Sequence, residues 1–139
     1  MSINFVWTKD LSVGEDHIDE QHKRLLSQVN KIIHIMTFGA TSKEITETLY
    51  FFDEYINEHF IYEEDYMKKN KYPYIDEHKK KHKDFIKSYL LFKKQLYGGV
   101  KPERLIMDIE TYLGQWWINH IGKEDKKYHD FISRAVWGL

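Results

Sequence analysis

Hydrophobic residues recur at alternating steps of three and four positions in four segments of the chain. This spacing is typical of a helix that buries one face. The four segments share it over residues 18–36, 45–66, 75–96 and 106–120. No segment of the sequence shows the alternation at every second position that a half-buried strand requires. The pattern therefore predicts an all-α protein with four helices.

Residues that commonly begin or end helices lie between these segments. Thr41 and Glu44 have the spacing of a capping box at the start of the second helix. The other boundary residues are Gly39 after the first helix, Pro73 after the second, and Gly98, Gly99 and Pro102 between the third and the fourth. Short connections make neighbouring helices antiparallel, so we predict an up-down-up-down four-helix bundle. Residues before about 15 are expected to form an N-terminal arm, and those after Gly122 a short C-terminal segment.

Length and composition favour one domain. The chain has 139 residues, which suits a single domain over residues 1–139. Its 21 Lys and Arg against 22 Asp and Glu give no global electrostatic reason to expect nucleic acid or an anionic membrane as a partner. The sequence has no apolar stretch near the ~18 residues of a membrane span and no signal peptide, so we expect a cytoplasmic protein. We also expect a monomer, although no sequence feature fixes the oligomeric state.

Six polar residues occupy positions of the apolar stripes, where the helices are expected to be buried. They are His22, His59, Glu63, His78, His82 and His120. Taken alone, one such histidine is more often an ordinary core residue with a hydrogen-bond partner. Left uncompensated, each group would cost on the order of a few kcal/mol, and six would exceed the stability of a small domain. The six together therefore indicate a shared compensating partner.

The same six residues are expected to meet at one level of the bundle. Counted from the turn near residue 40, His22 lies 18 residues before and His59 lies 19 after. Counted from the turn near residue 99, His78 and His120 each lie 21 residues away. At ~1.5 Å of rise per residue these offsets differ little, so antiparallel packing brings the side chains together.

Five imidazoles and a carboxylate in a dry core indicate a metal site. The chain has no cysteine, so any metal must be bound through nitrogen and oxygen, which excludes iron–sulfur clusters and thiolate zinc sites. The ligands are too numerous for one tetrahedral zinc ion, and we predict two ions with a second bridging carboxylate. Asp125, five residues after His120, is the candidate. Since five residues turn a regular helix ~140° past a full revolution, we predict that the helix breaks near Gly122 and redirects the chain.

Several neighbouring polar and aromatic residues are not expected to bind metal. Glu64 and Asp65 point to other sides of the second helix than Glu63 does, so we do not expect them to be ligands. The off-stripe histidines, expected on the surface, are His17, His34 and His129. Trp7 fits either a plug at the end of the bundle or the wall of a pocket.

At these residues the sequence resembles the hemerythrins, and most closely the single-domain bacteriohemerythrins. The matching motifs are Ile18-Asp19-Glu20-Gln21-His22, His59-Phe60-Ile61-Tyr62-Glu63, His78-Lys79-Lys80-Lys81-His82 and His120-Ile121-Gly122-Lys123-Glu124-Asp125. The likeness extends over nearly the whole chain, from Trp7 to the segment after Asp125. No ligand of the family pattern is missing.

The resemblance implies a ligand set and a cofactor of two non-haem iron ions. One iron would be held by His78, His82 and His120 and the other by His22 and His59, with Glu63, Asp125 and an oxo or hydroxo group as bridges. In the family, dioxygen binds end-on to the iron with the open position, takes two electrons and is held as hydroperoxide. The same resemblance places Leu25, Phe60, Trp117 and Ile121 around the oxygen pocket. Tyr128 is expected to cover the site from the C-terminal segment.

These expectations favour reversible dioxygen binding, for storage, transport or delivery, over catalysis. The chain has no Glu-x-x-His motif of the carboxylate-rich di-iron enzymes. A histidine-rich ligand set should keep iron reducible and release dioxygen intact. The alternative is a di-iron enzyme, such as a peroxidase or a nitric-oxide-handling protein, and the ligand pattern alone does not separate the two. Iron storage and sensing are disfavoured because one bundle has neither a storage cavity nor an output domain. The ligand pattern also leaves the metal open, since zinc or manganese would suit nitrogen and oxygen ligands.

Overall fold

The computed structural model describes residues 4–137, which contain four long helices and no strand. The first three helices are α1 (Asp16–Phe38), α2 (Ser42–Lys69) and α3 (Ile75–Tyr97). The fourth runs without interruption through α4 (Pro102–Asp108), a π-helical stretch (Ile109–Gln115), α5 (Trp116–Asn119), a second π-helical stretch (His120–Asp125) and α6 (Lys126–Trp137). The predicted four-helix bundle is confirmed. None of the described helices is long and apolar enough to cross a membrane.

Helix boundaries follow the local sequence signals. The Thr41 hydroxyl accepts the backbone N–H of Glu44 at 3.1 Å and so caps the start of α2. Gly39 ends α1 with φ of 88°, and Gly99 follows α3 with φ of 96°, a conformation that glycine adopts without strain. Pro102 occupies the first turn of α4, where its missing N–H is not needed. These positions confirm the predicted connections.

The buried apolar residues form two clusters separated along the bundle axis. The larger fills most of the bundle and includes Leu25, Phe60, Phe85 and Trp117. The smaller lies at one end and consists of Val13, Ile18, Met67, Tyr72 and Tyr128. On α1 and α2 the polar stripe positions fall between residues of the two clusters, so dry packing encloses them from both sides.

The N-terminal arm is fixed to the bundle by two side chains of α1. The amide of Asn30 accepts the N–H of Phe5 at 2.8 Å and donates to its carbonyl at 2.7 Å. The buried carboxylate of Asp19 accepts from the Ser12 hydroxyl at 2.6 Å and from the Val13 N–H at 2.9 Å. The arm therefore has a defined position over α1. This agrees with the predicted N-terminal arm before residue 15.

The helix does not break near Gly122, so that prediction is wrong. His120 and Lys126 both have right-handed helical backbone angles, and the segment between them is π-helical. In a π-helix each N–H bonds to the carbonyl five residues earlier, so residues five apart face the same side. The wider turn brings Asp125 round to the side of His120 without ending the helix. The expected C-terminal segment after Gly122 is therefore a continuation of the fourth helix as far as Trp137.

Candidate metal centre

The structure brings the seven side chains expected to bind metal into one buried cluster between the two apolar clusters. Each of them has at most 4% of its surface exposed. They are His22, His59, Glu63, His78, His82, His120 and Asp125. α1 contributes one, α2 two, α3 two and the second π-helical stretch the last two.

The ligand atoms form two groups that share their carboxylates. In each group, the candidate atoms lie within 4.8 Å of one another. The first group is Glu63, His78, His82, His120 and Asp125, and the second is His22, His59, Glu63 and Asp125. Since Glu63 and Asp125 belong to both groups, the cluster has the form of two adjoining cation sites.

Glu63 faces the two groups with different oxygens. Its Oε1 lies 3.1 Å from His78 Nε2 and 3.0 Å from His82 Nε2. Its Oε2 lies 3.4 Å from His22 Nε2 and 3.2 Å from His59 Nε2. A carboxylate in this position can give one oxygen to each of two cations.

Asp125 has the same arrangement. Its Oδ1 lies 3.0 Å from His78 Nε2 and 3.1 Å from His120 Nε2, and its Oδ2 lies 3.1 Å from His22 Nε2. Within residues 4–137, however, neither oxygen has a hydrogen-bond partner of acceptable geometry. The nitrogens and oxygens are thus close without pointing at one another. A fully buried carboxylate in this condition needs positive charge close by, from protonated imidazoles or from a metal ion, to compensate its desolvation.

The imidazole nitrogens converge in the same way. His22 Nε2 lies 3.2 Å from His59 Nε2, and His120 Nε2 lies 3.1 Å from His78 Nε2 and 3.2 Å from His82 Nε2. Ligands at right angles on an octahedral ion with bonds of about 2.1 Å lie about 3 Å apart. The donor set therefore fits metal ions bound through Nε2 and carboxylate oxygen.

Three hydrogen bonds orient the cluster from outside. His59 Nδ1 donates to the side-chain amide oxygen Oε1 of Gln21 at 2.8 Å, and His82 Nδ1 donates to the Glu64 carboxylate at 2.9 Å. Each bond fixes the tautomer that leaves Nε2 free for a metal. The buried hydroxyl of Tyr128 donates to Glu63 Oε2 at 3.0 Å.

The role of Glu64 is one that sequence reasoning missed. The sequence predicts that Glu64 is not a ligand, because its side chain leaves α2 in a different direction from Glu63. That direction takes it across to α3, where it contacts the outer nitrogen of His82. No spacing rule within one helix identifies such a contact, because it depends on how α2 and α3 pack together.

The residues expected around an oxygen pocket are all buried in the larger apolar cluster. These are Leu25, Phe60, Trp117 and Ile121. The Phe60 ring stacks on His82 with centroids 3.8 Å apart, and Trp117 lies 5.7 Å from His59. The side of the cluster that faces the middle of the bundle is therefore apolar.

The charges of the cluster balance internally when no cation is bound. Burial alone would lower the pKa of His22 and His78, but the Asp125 and Glu63 carboxylates outweigh it and raise these pKa values to about 9 and about 10. Burial would raise the pKa of each carboxylate, but the surrounding imidazoles hold both well below their usual range. The site therefore keeps its carboxylates anionic, and protons on His22 and His78 must leave before a metal can bind.

The remaining histidines lie away from this cluster. His17 and His34 are exposed, as predicted. His129 is partly buried, and its ring packs so closely on Gly14 that a Cβ there would come within 2.6 Å of it. Trp7 is also partly buried and packs against the larger apolar cluster, with the Lys23 ammonium 4.5 Å from its ring centroid.

Comparison with known proteins agrees with this geometry. The family model for the hemerythrin HHE cation binding domain matches residues 13–132. The chain is 31% identical over 128 residues to a bacteriohemerythrin of Stenotrophomonas maltophilia, covering 92% of this chain and 81% of that protein. It is 29% identical over 133 residues to a bacteriohemerythrin of Pseudomonas aeruginosa, covering 96% and 84%. It is 31% identical over 124 residues to a myohemerythrin of Theromyzon tessulatum, covering 89% and 90%. The chain therefore belongs to the hemerythrin family.

Proposed function

We propose that the protein binds dioxygen reversibly at two non-haem iron ions held by the seven buried side chains. One observation carries the proposal. Glu63 and Asp125 each present one oxygen to the three-histidine group and the other oxygen to the two-histidine group. One ion would have His78, His82 and His120, and the other His22 and His59, with an oxo or hydroxo group as a further bridge. When bound, the iron pair supplies the two electrons that dioxygen takes up on binding and returns on release.

The unequal number of histidines supports an open position on one ion. Three imidazoles and two carboxylate oxygens serve the first group, whereas the second has only two imidazoles with the same carboxylates. A metal with fewer protein ligands keeps a position for a small exogenous ligand. The two-histidine group lies beside Trp117, which contacts His59 in the apolar cluster. Dioxygen, being small and apolar, suits that side of the centre.

The surrounding residues favour release of dioxygen over its cleavage. Phe60 and Trp117 are buried and stack on each other with centroids 5.6 Å apart, which leaves little room for water beside the ligand rings. Exclusion of water limits the supply of protons, which would otherwise allow the two-electron-reduced oxygen to leave as hydrogen peroxide and the iron to stay oxidised. The five neutral imidazoles of the ligand set also keep iron more easily reduced than additional carboxylates would.

Anaerobic loading with ferrous iron followed by exposure to oxygen tests the proposal. We expect about two iron ions per chain, and an optical charge-transfer band that appears with oxygen and disappears on degassing over repeated cycles. Conversion to the diferric form without a reversible band would contradict oxygen carriage. Repeated turnover of an added peroxide or of nitric oxide would instead favour the enzyme alternative.

We also propose that the protein acts as a cytoplasmic monomer with residues 1–139 in one domain. All seven candidate ligands come from a single chain, so no second subunit is needed to complete the centre. A reducing compartment would keep ferrous iron available for loading. Sedimentation analysis and cell fractionation test these two points, and a stable dimer or a membrane-bound fraction would contradict them.

A further inference from the structure

The two halves of the chain carry opposite charge. Residues 1–69, as far as the end of α2, contain 13 Asp and Glu against 7 Lys and Arg, whereas residues 70–139 contain 14 Lys and Arg against 9 Asp and Glu. α1 and α2 belong to the first half, while α3 and the fourth helix belong to the second. The near-zero net charge therefore conceals an acidic side and a basic side of the bundle, and such a charge distribution orients a charged partner as it approaches.

Two adjoining clefts on the basic side reach the candidate metal ligands. The first is lined by Lys81, Trp116, Asn119, His120, Lys123 and Glu124. The second is lined by Tyr72, Tyr74, Glu77, His78, Glu124 and Lys127. Glu124 lines both clefts, and it is held between the ammonium groups of Lys81 and Lys127. We call this surface the lysine seam. It consists of the two clefts with their lysines, Lys81, Lys123 and Lys127.

The lysine seam gives short access to the three-histidine group. His78 and His120 line the clefts, so the clefts come within one residue of the expected ion position. The half-buried Trp116 stacks on His120 with centroids 4.4 Å apart and an interplanar angle of 10°. Trp117, which packs beside His59 in the larger apolar cluster, lines neither cleft. The electron route and the dioxygen pocket would therefore be separate.

We propose that the lysine seam is the docking surface for a small acidic electron-carrier protein that re-reduces the iron pair after oxidation. The inference rests on the proposed function in one respect, because it requires an iron pair that can be oxidised to the diferric form. At each encounter the partner's redox centre loses one electron and one ferric ion becomes ferrous. Two encounters restore the diferrous pair. Lysines around a cleft that leads to a buried redox centre suit a partner with carboxylates around its own redox centre.

The form of the seam favours a protein over a nucleic acid or an anionic membrane. Glu77 and Glu124 lie among the lysines and would repel a continuous row of phosphates. Tyr72, Tyr74 and Trp116 add the aromatic surface that is common in protein interfaces. A protein partner can match this mixture of charges residue by residue.

Charge reversal at Lys123 tests the proposal, with Lys94 as the matched control. Both side chains are exposed and both lie in the basic half. Lys94 is thirteen residues beyond Lys81 on α3, about 20 Å along the helix from the seam. Lys123→Glu and Lys94→Glu change the net charge equally. The probe is a reduced acidic [2Fe–2S] ferredoxin, mixed with the iron-loaded, oxidised protein.

At low salt we expect Lys123→Glu to weaken ferredoxin binding and to slow the second-order reduction by at least about tenfold, and Lys94→Glu by less than about twofold. Binding is measured by titration of the two oxidised proteins, and reduction by stopped flow. Reduction by photoreduced lumiflavin, a small uncharged donor, should be equal in all three proteins. This equality shows that the iron centre itself is intact.

An equal effect of both reversals, or no effect of either, would overturn the docking site. The docking site for an acidic protein would also be overturned if anionic phospholipid vesicles or duplex DNA displaced ferredoxin and bound in a way that depends on Lys123. The oxygen cycle is measured separately on the same samples. If reduction depends on Lys123 but no reversible oxygen adduct forms, the proposed function fails and the docking surface stands. If the adduct forms but Lys123 has no effect, only the docking surface fails.

Discussion

At the residue scale, the site is visible in the sequence because it breaks the rule of an apolar core. A histidine or glutamate at a stripe position costs desolvation energy, so six of them at one level of a bundle require a common partner. The directions of side chains across a helix interface have no such signature. Glu64 orients His82 from the neighbouring helix, and Tyr128 donates to Glu63 from α6, and both contacts depend on packing that spacing does not encode.

Replacing Asp125 by asparagine should preserve iron binding at one site and weaken it at the other. An amide has one neutral oxygen, so it cannot give an anionic oxygen to each histidine group. We expect bound iron to fall from about two to about one per chain, with the helical circular dichroism spectrum unchanged. Asp130→Asn, at an exposed position five residues later, is the control and should retain both ions. Full iron loading in Asp125→Asn would contradict the bridging role.

Removal of the Glu64 carboxylate should weaken metal binding without removing a ligand. His82 would lose the acceptor that fixes its tautomer, and loss of such an outer partner typically costs 10- to 100-fold in metal affinity. We therefore expect Glu64→Ala to lower iron affinity by about that factor in competition with a chelator. Asp65→Ala removes an exposed carboxylate paired with Lys69 and should have no such effect. Equal affinities in the two variants would show that the His82–Glu64 contact is not needed.

At the element scale, periodicity predicts the four helices but not their hydrogen-bond register. The stripes and boundary residues locate α1, α2 and α3 because burial of one face and helix capping are local properties. A π-helical stretch leaves no separate pattern of hydrophobic residues. Its one signal is the pair His120 and Asp125, two inward residues five positions apart. In a regular helix that spacing predicts a break at Gly122, whereas the widened turn of a π-helix satisfies it without a break.

Alanine substitutions at two glycines of the fourth helix should have opposite effects. At Gly122 a Cβ would meet only Leu11, at 3.6 Å, and the backbone is helical, so Gly122→Ala should preserve the fold or stabilise it by about 0.5–1 kcal/mol. At Gly114 a Cβ would come within 2.0 Å of the Phe5 ring, so Gly114→Ala should destabilise by about 1–3 kcal/mol. Urea unfolding measures both. Destabilisation by Gly122→Ala would indicate that the glycine is needed to redirect the chain.

At the scale of the whole molecule, the fold holds a set of charges that changes partner when metal binds. Without a cation, His22 and His78 are protonated and neutralise Glu63 and Asp125. With the two proposed iron ions in place, the same carboxylates would compensate the metal charge. In both forms the buried charges are compensated, and we expect the stability of each form to depend differently on pH. Composition could not show this, because it counts charges without saying which ones are buried together.

The stability of the metal-free protein should fall as pH rises from 6.5 to about 10. The folded-state pKa values of His22 and His78, about 9 and about 10, lie above the ordinary value of 6.5. Their stabilisation is therefore complete below pH 6.5 and is lost as pH rises through the folded values. Iron competes with these protons, so the iron-loaded protein should gain stability between pH 6 and 8.

Thermal unfolding followed by circular dichroism, with and without ferrous iron under nitrogen, measures how the stability of each form changes with pH. His34→Gln, at an exposed position, should leave both pH profiles unchanged, whereas His78→Gln should flatten the alkaline fall of the metal-free protein. Parallel pH profiles with and without iron would mean that these two imidazoles neither hold the protons nor release them to the metal.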